Sequence, residues 1–343
     1  ICRTRRCACG WRPVARVVGP FSQAGATGFC GRLPVADRAK ASAGFLDAAG
    51  WGAAERRHLA GDASDRRYER LRLGPATAVL MDSPPGGADD PAAFVAMAAH
   101  LGGLGLSAPQ VLAKDTANGF LLLEDLGDDL FARLLEAAPG REPELYQAAA
   151  DCLLHLQAHP PPEGLPDLSA SDWAAAAGFA LDWYAFAATG IRPDRTTFLG
   201  RMTEAMMAKA DGPRVLILRD FHAENLLWLP DREGLARVGL LDFQLGQLGQ
   251  PGYDLVSLVQ DARRDVAAET EAALIARFAA ARGLAADAFA AQCAVLGAQR
   301  ALRILGVFAR LCLTAGKPGY LRLIPRVWGQ LQRNLAHPAL ADL

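Results

Sequence analysis

The stretch that most constrains this chain runs from Val215 to Gln244 and reads VLILRDFHAENLLWLPDREGLARVGLLDFQ. It contains two short apolar runs, VLIL and VGLL, whose length and bulky aliphatic residues predict two buried strands. Asp220 follows the first run closely, and Asp242 follows the second run directly. The fold therefore has to place a carboxylate near the end of each of two short buried strands.

Asn225 lies between these two aspartates, five residues after Asp220. An aspartate, an asparagine five residues later and a second aspartate after a further strand have the spacing of a phosphoryl-transfer site. In such a site Asp220 accepts the proton of the attacking hydroxyl, and Asn225 and Asp242 offer hard oxygen ligands to Mg²⁺. Two strands with solvated polar ends are the structural alternative, but the Asp-Phe-Gln sequence that begins at Asp242 favours the kinase interpretation.

The composition limits the partners of this chain. Its 343 residues are 51% hydrophobic, enough for one large core or two lobes, and its formal net charge is −1. A balanced charge creates no overall field for nucleic acid, and no apolar run approaches the roughly 18 residues that span a membrane. Cys152, Cys293 and Cys312 are isolated within helical patterns, which is typical of core residues in a reducing cytoplasm. We therefore expect a soluble, cytoplasmic protein that binds neither nucleic acid nor a membrane.

Residues 1–36 differ in character from the rest of the chain. They mix arginine, glycine and proline without a sustained period, which predicts a disordered or non-native extension. Cys2, Cys7 and Cys9 lie there, but the segment has no C-x-x-C pair and no histidine that would support a zinc site. From Asp37 onward the pattern changes to a short helix followed by strands.

A turn that could bind phosphate lies in the sequence Gly61-Asp62-Ala63-Ser64. It precedes two predicted antiparallel strands, Arg66 to Leu73 and Ala76 to Met81, which are joined at Gly74-Pro75. Small residues allow backbone N–H groups to approach phosphate oxygens, so Gly61, Ala63 and Ser64 are candidate nucleotide-binding residues. An ordinary turn that binds nothing is the alternative.

A lysine that protein kinases carry on their third strand is replaced here. The corresponding strand reads Ala78-Val79-Leu80-Met81, with Met81 in the lysine position, and the following helix from Pro91 to Leu106 contains no glutamate. The nearest cations are Arg66, Arg67 and Arg70 on the preceding strand. Because side chains alternate along a strand, Arg67 faces away from the other two. We expect Arg67 to contact the phosphates, with a solvated basic strand edge as the alternative.

An apolar strand from Gly119 to Leu123 leads into the short polar segment Glu124-Asp125-Leu126-Gly127. This pattern predicts a hinge, in which backbone groups of Glu124 and Leu126 bond to adenine. Helical periodicity dominates after residue 128. The sequence therefore predicts an α+β, two-lobed, protein-kinase-like fold. A small antiparallel-sheet N-lobe would cover 37–125 and bind nucleotide, and a larger, mainly helical C-lobe would cover 126–343 and contain the catalytic and substrate sites.

Two features of the predicted C-lobe bear on the substrate. A helix capped by Ser171 with Asp172 is expected to continue through an aromatic-rich stretch, where core packing is the simpler interpretation. Asp182 and Trp183 in that stretch could instead bond to and stack on a sugar. Asp254, near the start of a later helix, is expected to bond the catalytic-loop backbone rather than act directly.

The C-terminal part of the chain is basic, with no acidic residue between Asp287 and Asp342. Arg300, Arg303 and Arg310 are spaced to share a helical face. A basic surface disfavours cationic substrates such as aminoglycosides, whose ammonium groups need carboxylate partners, and suits a substrate that carries a carboxylate. Arg300 and Arg303 are therefore candidate substrate-binding residues, with a solvated basic face as the alternative.

Several stretches together resemble a known family. LRDFHAEN and LLDFQ, with GDASDRRYERL, AVLMDSPP, LLLEDLGDDL and GYDLVSLVQDARRDV, resemble small-molecule kinases of the aminoglycoside-phosphotransferase (choline-kinase-like) fold. The resemblance is to the bacterial branch that phosphorylates the anomeric hydroxyl of N-acetylmuramate and N-acetylglucosamine. It covers roughly residues 40 to 343. It implies ATP and Mg²⁺ as cofactors, an amino sugar as substrate, a role in peptidoglycan recycling, Asp220 as the base, and Asn225 and Asp242 as metal ligands.

The chain departs from the family pattern at two positions, and alternatives stay open. Leu218 stands where a histidine is usual, and Asp65 stands where an aromatic residue usually follows the phosphate turn. A kinase of another hydroxyl, such as that of an aminoglycoside, choline or homoserine, is the competing enzyme. A pseudokinase that only binds ligands is the competing non-enzyme, although the three catalytic polar residues disfavour it.

Overall fold

A computed structural model of the protein describes residues 35–60, 66–85 and 90–343. Within these residues the chain forms two compact units. The sheet unit comprises the described residues up to 152 together with 223–246, and the helical unit comprises 153–222 and 247–343. The expected extension over residues 1–36 lies almost entirely outside the described residues. The lobe boundary expected between residues 125 and 126 stays a prediction.

The strands and helices follow one another along the chain with short connections. The strands are β1 (Glu55–Ala60), β2 (Arg67–Leu73), β3 (Ala76–Asp82), β4 (Val111–Asp115), β5 (Phe120–Glu124), β6 (Val215–Ile217), β7 (Leu226–Trp228), β8 (Val238–Leu240) and β9 (Gln247–Gly249). The helices are α1 (Val35–Ala48), α2 (Pro91–Gly103), α3 (Phe131–Ala137), α4 (Glu142–Gln157), α5 (Ala170–Ala177), α6 (Phe186–Thr189), α7 (Thr196–Lys209), α8 (Tyr253–Val259), α9 (Ala268–Ala281), α10 (Ala286–Thr314) and α11 (Ile324–Leu335).

A five-stranded antiparallel sheet with the order β1-β2-β3-β5-β4 forms the centre of the sheet unit. The strands predicted on either side of Gly74-Pro75 are confirmed within one residue at their ends. One face of the sheet packs on α1, and its core contains Leu46, Leu71, Leu80 and Leu122. This core forms because alternate residues of β2, β3 and β5 are aliphatic and point to the same face.

The two apolar runs at the centre of the sequence are confirmed as buried strands, β6 and β8. They do not pair with each other, because β6 pairs with β9 in the helical unit and β8 pairs with β7 in the sheet unit. Each ladder is only three residues long. The chain segments that follow β6 and β8 can therefore depart from regular geometry directly after the strand.

The long helix α10 is the central element of the helical unit. Fifteen of its residues are buried, among them Phe289, Leu296, Leu305 and Phe308. Helices α5, α7, α8, α9 and α11 pack around it. Such burial on more than one side is what a helix at the centre of a helical core requires.

The expectation of a cap at Ser171 is wrong. The helix α5 begins two residues earlier than such a cap implies, at Ala170, and Ser169 is its cap. The Ser169 hydroxyl accepts a bond from the Asp172 N–H at 3.2 Å, and the Asp172 carboxylate accepts one from the Ser169 N–H at 2.9 Å. This reciprocal capping box satisfies two backbone donors, whereas a cap at Ser171 would place Asp172 too early to reach back.

The prediction that one continuous aromatic-rich helix follows this cap is also wrong. After α5 the chain forms a π-helical turn over Ala180–Ala185 and then the short helix α6. Trp173 and Tyr184 are buried core residues, as the packing interpretation predicted. Asp182 and Trp183 lie within the π-helical turn, a form that is rare and occurs mostly as single turns, often at functional sites.

Two of the three cysteines that were expected in the core are buried, and the third is not. Cys152 and Cys293 are free and buried, while Cys312 is partly exposed. Burial raises the pKa of the Cys152 thiol to about 12, so it remains protonated. None of the helices in the described part of the chain combines the length and apolarity that crossing a bilayer requires.

Candidate active site

The segment after β6 has an unusual backbone held by a buried carboxylate. Arg219 has a φ of 74°, which non-glycine residues seldom adopt. The carboxylate of Asp254, in the first turn of α8, accepts hydrogen bonds from the N–H groups of Leu218 at 2.6 Å and Arg219 at 2.9 Å. The prediction that Asp254 bonds the catalytic-loop backbone is therefore confirmed. The two bonds compensate a conformation that costs on the order of 1 kcal/mol or more.

Asp254 is fully buried, and burial raises its pKa to about 7. The negative charge of Asp220 raises the pKa further, while the two backbone N–H donors and Arg300 oppose the rise. A carboxyl group in an apolar interior resists ionisation because it loses hydration. The anchor of this loop is thus a group whose charge changes near neutral pH.

Asp220 follows directly on the strained Arg219 and is half-buried. Its own N–H bonds to the carbonyl of Leu218 at 3.0 Å, which closes a tight turn at the end of β6. A carboxylate presented on such a turn keeps part of its surface accessible while its backbone is held firmly. That is the arrangement a general base needs.

His222 was not singled out from the sequence, yet it is one of the most buried polar residues of the helical unit. Its Nε2 lies 3.1 Å from Nη1 of Arg263. Burial and the nearby charges of Arg263 and Arg300 hold the pKa of His222 well below its usual value, so the ring is neutral at physiological pH. The partner is 41 residues away along the chain, and the sequence offers no signal for such a contact.

Asn225 and Asp242 lie at the same end of the β7–β8 ladder, in the sheet unit. Leu226 pairs with Leu240, and the N–H of Leu241 bonds to the carbonyl of Asn225 at 2.9 Å. Asp242 follows immediately and has a φ of 55°. The ladder thus places the backbone of Asn225 beside that of Leu241, the residue that precedes Asp242. The metal role of Asn225 and Asp242 stays a prediction.

The chemistry of this pair fits Mg²⁺. An amide and a carboxylate oxygen are hard ligands, and proteins usually bind Mg²⁺ through one or two such groups while phosphates and water complete the octahedron. Among the described residues, no group of three or more His, Cys, Asp or Glu side chains could hold a metal by itself. A site completed by a nucleotide is therefore the kind that Asn225 and Asp242 could form.

Two side chains bond to Oδ1 of Asp242. Arg66 Nη2 lies 3.0 Å from this oxygen and Gln244 Nε2 lies 2.8 Å from it. Arg66 is thus the arginine at the candidate metal residue, while Arg67, which was expected to contact the phosphates, is exposed. The contact joins residues 176 positions apart, so only the folded chain reveals which of the neighbouring arginines reaches Asp242. The phosphate role of Arg67 stays a prediction.

The predicted hinge after β5 is clamped by Arg70. Its guanidinium bonds to Asp125 at 3.0 Å, to the Gly127 carbonyl at 3.2 Å and to Asp128 at 2.6 Å. Arg70 lowers the pKa of the Asp128 carboxyl through its hydrogen bond. The segment that contains Leu126 is therefore held in one conformation, which favours recognition through backbone groups.

The side chain of Glu124, at the end of β5, forms an ion pair with Arg232. This ion pair engages the Glu124 side chain within the sheet unit. The residues of the phosphate turn, Gly61, Ala63 and Ser64, and the neighbouring Asp65 lie outside the described residues. The nucleotide roles of Gly61, Ala63, Ser64, Glu124 and Leu126 stay predictions.

The candidate sugar residues of the π-helical turn already bond to basic side chains. Asp182 accepts a bond from Arg195 at 2.6 Å. The guanidinium of Arg192 lies 5.4 Å from the centre of the Trp183 ring and 4.6 Å from that of Phe186. Aromatic faces and arginines together can bind a polar ring that carries a negative charge. Their contact with substrate stays a prediction.

The expected basic surface of the C-terminal part is much reduced in the structure. Arg326 pairs with Asp265 at 2.6 Å and Arg333 pairs with Glu271 at 3.5 Å. Acidic residues from outside this part therefore neutralise two of its seven basic side chains. Sequence neighbours alone could not show these pairs, because the acids precede α10 in the chain.

Arg300 is only 5% exposed. Its guanidinium donates to Ser257 Oγ at 2.7 Å and to the Gln260 carbonyl at 3.3 Å, and burial lowers its pKa. These contacts are those of an interior residue that supports α8. Arg303 is half-buried. Binding of substrate by Arg300 and Arg303 stays a prediction, and the burial of Arg300 weighs against it.

The model of the phosphotransferase enzyme family matches residues 55–292. This match spans more than half of the chain and includes the strands β6 and β8, after which the candidate aspartates lie. The chain belongs to this family. The family resemblance drawn from the sequence is therefore confirmed.

Two relatives in this phosphotransferase family have closely related sequences. The N-acetylmuramate/N-acetylglucosamine kinase of Caulobacter vibrioides is 42% identical, with 90% of this chain and 95% of the relative covered. The enzyme of the same name from Pseudomonas aeruginosa is 33% identical, with 86% of this chain and 89% of the relative covered.

Solved structures share the fold of this chain at low sequence identity. A choline/ethanolamine kinase family protein from Mesorhizobium loti has a TM-score of 0.59 at 18% identity, covering 89% of this chain and 97% of that one. Aminoglycoside 2′-phosphotransferase-IIIa, solved with GDP, has a TM-score of 0.60 at 14% identity, covering 90% and 100%. The predicted α+β, protein-kinase-like fold, with an antiparallel sheet and a mainly helical remainder, is confirmed.

Proposed function

We propose that this protein is an ATP- and Mg²⁺-dependent kinase that phosphorylates the anomeric hydroxyl of N-acetylmuramate, N-acetylglucosamine or both. The observation that carries the proposal is the 42% identity to the Caulobacter vibrioides kinase of that name over 90% of this chain. The proposed place of the reaction is peptidoglycan recycling in the cytoplasm, where amino sugars released from the cell wall and ATP are both present.

In the proposed mechanism Asp220 accepts the proton of the sugar hydroxyl as that oxygen attacks the γ-phosphorus of ATP. The bond between the γ-phosphorus and the β–γ bridging oxygen breaks, and ADP leaves. The bonds from Asp254 to Leu218 and Arg219 keep the turn that presents Asp220 in its unusual conformation. Because the base is already fixed when the substrate arrives, the reaction does not have to meet the entropic cost of orienting Asp220.

Asn225 and Asp242 hold Mg²⁺ in the proposed site, with Gln244 orienting the Asp242 carboxylate. When bound, the metal ion neutralises charge on the nucleotide phosphates. The hinge segment clamped by Arg70 offers backbone groups of Glu124 and Leu126 to adenine. Asp182, Trp183 and Arg303 are the proposed sugar contacts. The proposed boundary between the N-lobe and the C-lobe lies between residues 125 and 126.

The test uses purified full-length protein with γ-labelled ATP and Mg²⁺. N-acetylmuramate and N-acetylglucosamine are expected to become labelled, while kanamycin and choline are not. The methyl glycoside of N-acetylglucosamine is the matched control, because its anomeric oxygen carries a methyl group and has no proton to lose. Label transfer to the methyl glycoside would contradict anomeric phosphorylation, and transfer only to kanamycin or choline would contradict the amino-sugar assignment.

A protein that stays unlabelled with every acceptor would support the pseudokinase alternative. Thermal unfolding with Mg-ATP then separates the cases, because a ligand that binds the folded state raises Tm. Stabilisation without transfer would indicate a binding module. If Mg-ATP neither stabilises the protein nor transfers its phosphate to any acceptor, a nucleotide-dependent function is excluded.

A further inference from the structure

Met81 occupies the strand position where a protein kinase has a lysine, and the side chain of Met81 is buried. In the register of the sheet, Met81 lies directly opposite Tyr68 of β2 and opposite Leu121 of β5. Directly opposed residues of antiparallel strands point to the same face. This face of the sheet is therefore where a positive charge for the nucleotide phosphates would be needed.

Arg66 brings a guanidinium to that same face. It lies two residues before Tyr68, and its Nη1 bonds to the Tyr68 hydroxyl at 3.2 Å, so the two side chains point the same way. Its Nη2 is 3.0 Å from Oδ1 of Asp242, the candidate metal ligand. The charge that is absent from β3 is thus present directly before β2, the neighbouring strand.

The two members of this ion pair differ in exposure. The Arg66 side chain is 10% exposed, and the Asp242 side chain is 41% exposed. Asp242 also has a left-handed backbone, with a φ of 55°, which non-glycine residues adopt at a cost and often at functional positions. The mostly buried guanidinium of Arg66 therefore neutralises the Asp242 carboxylate, which is exposed enough for a metal ion to reach it from solvent.

An arginine paired to a metal-binding carboxylate opposes the approach of a divalent cation, because the two positive charges repel each other. The same guanidinium is well suited to phosphate oxygens, which its planar set of N–H donors can bind in pairs. An exchange of partners would satisfy both requirements, with phosphate replacing Asp242 at Arg66.

We propose that Arg66 replaces the missing strand lysine as the nucleotide-binding cation, an inference that rests on the proposed function. Without nucleotide Arg66 neutralises Asp242. Once that carboxylate holds Mg²⁺, Arg66 bonds to the nucleotide phosphates instead. This assigns to Arg66 the role that the sequence analysis gave to Arg67.

The first test measures binding of Mg-ADP by calorimetry, which needs no turnover. Arg66→Met is expected to weaken binding by about 10- to 100-fold, the effect of losing hydrogen bonds to a charged group. Arg66→Lys, which keeps the charge, is expected to restore most of this loss. Arg72→Met is the matched control, because Arg72 is an exposed arginine on the same strand; it should leave the Kd within about twofold.

The second test measures Mn²⁺ binding without nucleotide by electron paramagnetic resonance, with Mn²⁺ as the probe for the metal site. Removing the cation that competes for Asp242 should strengthen Mn²⁺ binding by a few-fold in Arg66→Met. The opposite signs of the two effects distinguish an exchange of partners from general damage to the site, which would weaken both. Arg66→Gln serves as a second variant if Arg66→Met fails to fold.

The outcomes separate this inference from the proposed function. Wild-type protein that binds Mg-ADP no more tightly than Arg66→Met does would overturn the role of Arg66 and leave the kinase proposal standing. A loss of affinity in Arg67→Met instead of Arg66→Met would return the role to Arg67. Wild-type protein that does not bind Mg-ADP at all would overturn both proposals.

Discussion

The N–H of Arg219 donates a 2.9 Å hydrogen bond to the carboxylate of Asp254, a residue 35 positions later in the chain. Arg219 has a φ of 74°, and the residue after it is the proposed base, Asp220. A buried acid on α8 thus supports the backbone that presents the catalytic carboxylate. The function of the loop is expected to depend on the charge and shape of Asp254.

The first prediction concerns stability and pH. Burial raises the pKa of Asp254 from 3.8 to about 7. Between pH 3.8 and about pH 7, the Asp254 carboxyl is therefore protonated in the folded state and ionised in the unfolded state. The contribution of Asp254 to stability is therefore full below pH 4 and is lost as the pH rises to 7. Relative to Asp254→Asn, which cannot ionise, the wild type should lose about 3 kcal/mol between about pH 5 and pH 8.

Urea unfolding of both proteins at the two pH values measures this difference. Taking the difference between the proteins removes the contribution of His222 and the other titrating groups that they share. A gap that stays constant with pH would show that Asp254 has the same protonation state throughout this range.

The second prediction concerns the proposed base. Asp220→Asn keeps the size of the side chain but removes the proton acceptor, so turnover should fall by at least about 100-fold. Affinity for Mg-ADP should change little, because the proposed metal ligands are Asn225 and Asp242. Steady-state kinetics and calorimetry measure the two quantities, and a turnover close to wild type would remove Asp220 from the role of base.

The third prediction separates two roles of Arg300. If Arg300 supports α8 through Ser257 and Gln260, Arg300→Met should lower the free energy of unfolding by about 2 kcal/mol through lost buried hydrogen bonds. Any effect on α8 would reach catalysis through Asp254 and the turn that presents Asp220, which both sugars use. The ratio of kcat/KM for N-acetylmuramate to that for N-acetylglucosamine should therefore stay the same. Arg310→Met, at an exposed position of the same helix, is the control.

A selective loss with N-acetylmuramate would contradict this structural role. Only that sugar carries a lactyl carboxylate, so a drop of about tenfold or more in its relative kcat/KM would indicate a direct contact. Unfolding and kinetics on the same preparations distinguish the two outcomes.

The fourth prediction compares two helical glycines. A Cβ at Gly306 of α10 would lie 2.3 Å from the backbone of Phe179, next to the π-helical turn, whereas a Cβ at Gly200 of α7 would meet nothing within 4 Å. Gly306→Ala should therefore destabilise the protein by about 1–3 kcal/mol. Gly200→Ala should stabilise it by about 0.5–1 kcal/mol, because alanine favours the helix. Thermal unfolding measures both, and equal effects would contradict the close packing at Gly306.

The Gly306→Ala variant also tests the proposed sugar contacts through the KM for the sugar. Asp182 and Trp183 lie in the turn that packs at Gly306, so Gly306→Ala should also raise KM for the sugar while affinity for Mg-ADP is kept. An unchanged KM in a folded Gly306→Ala protein would indicate that the turn does not contact the sugar.

The sequence by itself determined the parts of this protein that depend on local pattern. The buried runs VLIL and VGLL, the strands around Gly74-Pro75 and the spacing of Asp220, Asn225 and Asp242 could all be recognised, and they identified the family. Strand periodicity and motif spacing extend over a few residues, so they are visible in the chain before it folds. The wrong cap at Ser171 shows the limit of this approach, because two serines near one aspartate offer similar local signals.

Only the tertiary structure decided which charges meet. Arg66 rather than Arg67 reaches Asp242, Arg300 turns into the interior, and Asp265 and Glu271 neutralise arginines that looked free in the sequence. These contacts join residues far apart in the chain, and their energy depends on burial and distance, which no local pattern encodes. The segment from Val215 to Gln244 therefore identifies the chemistry, while the fold selects the residues that support it.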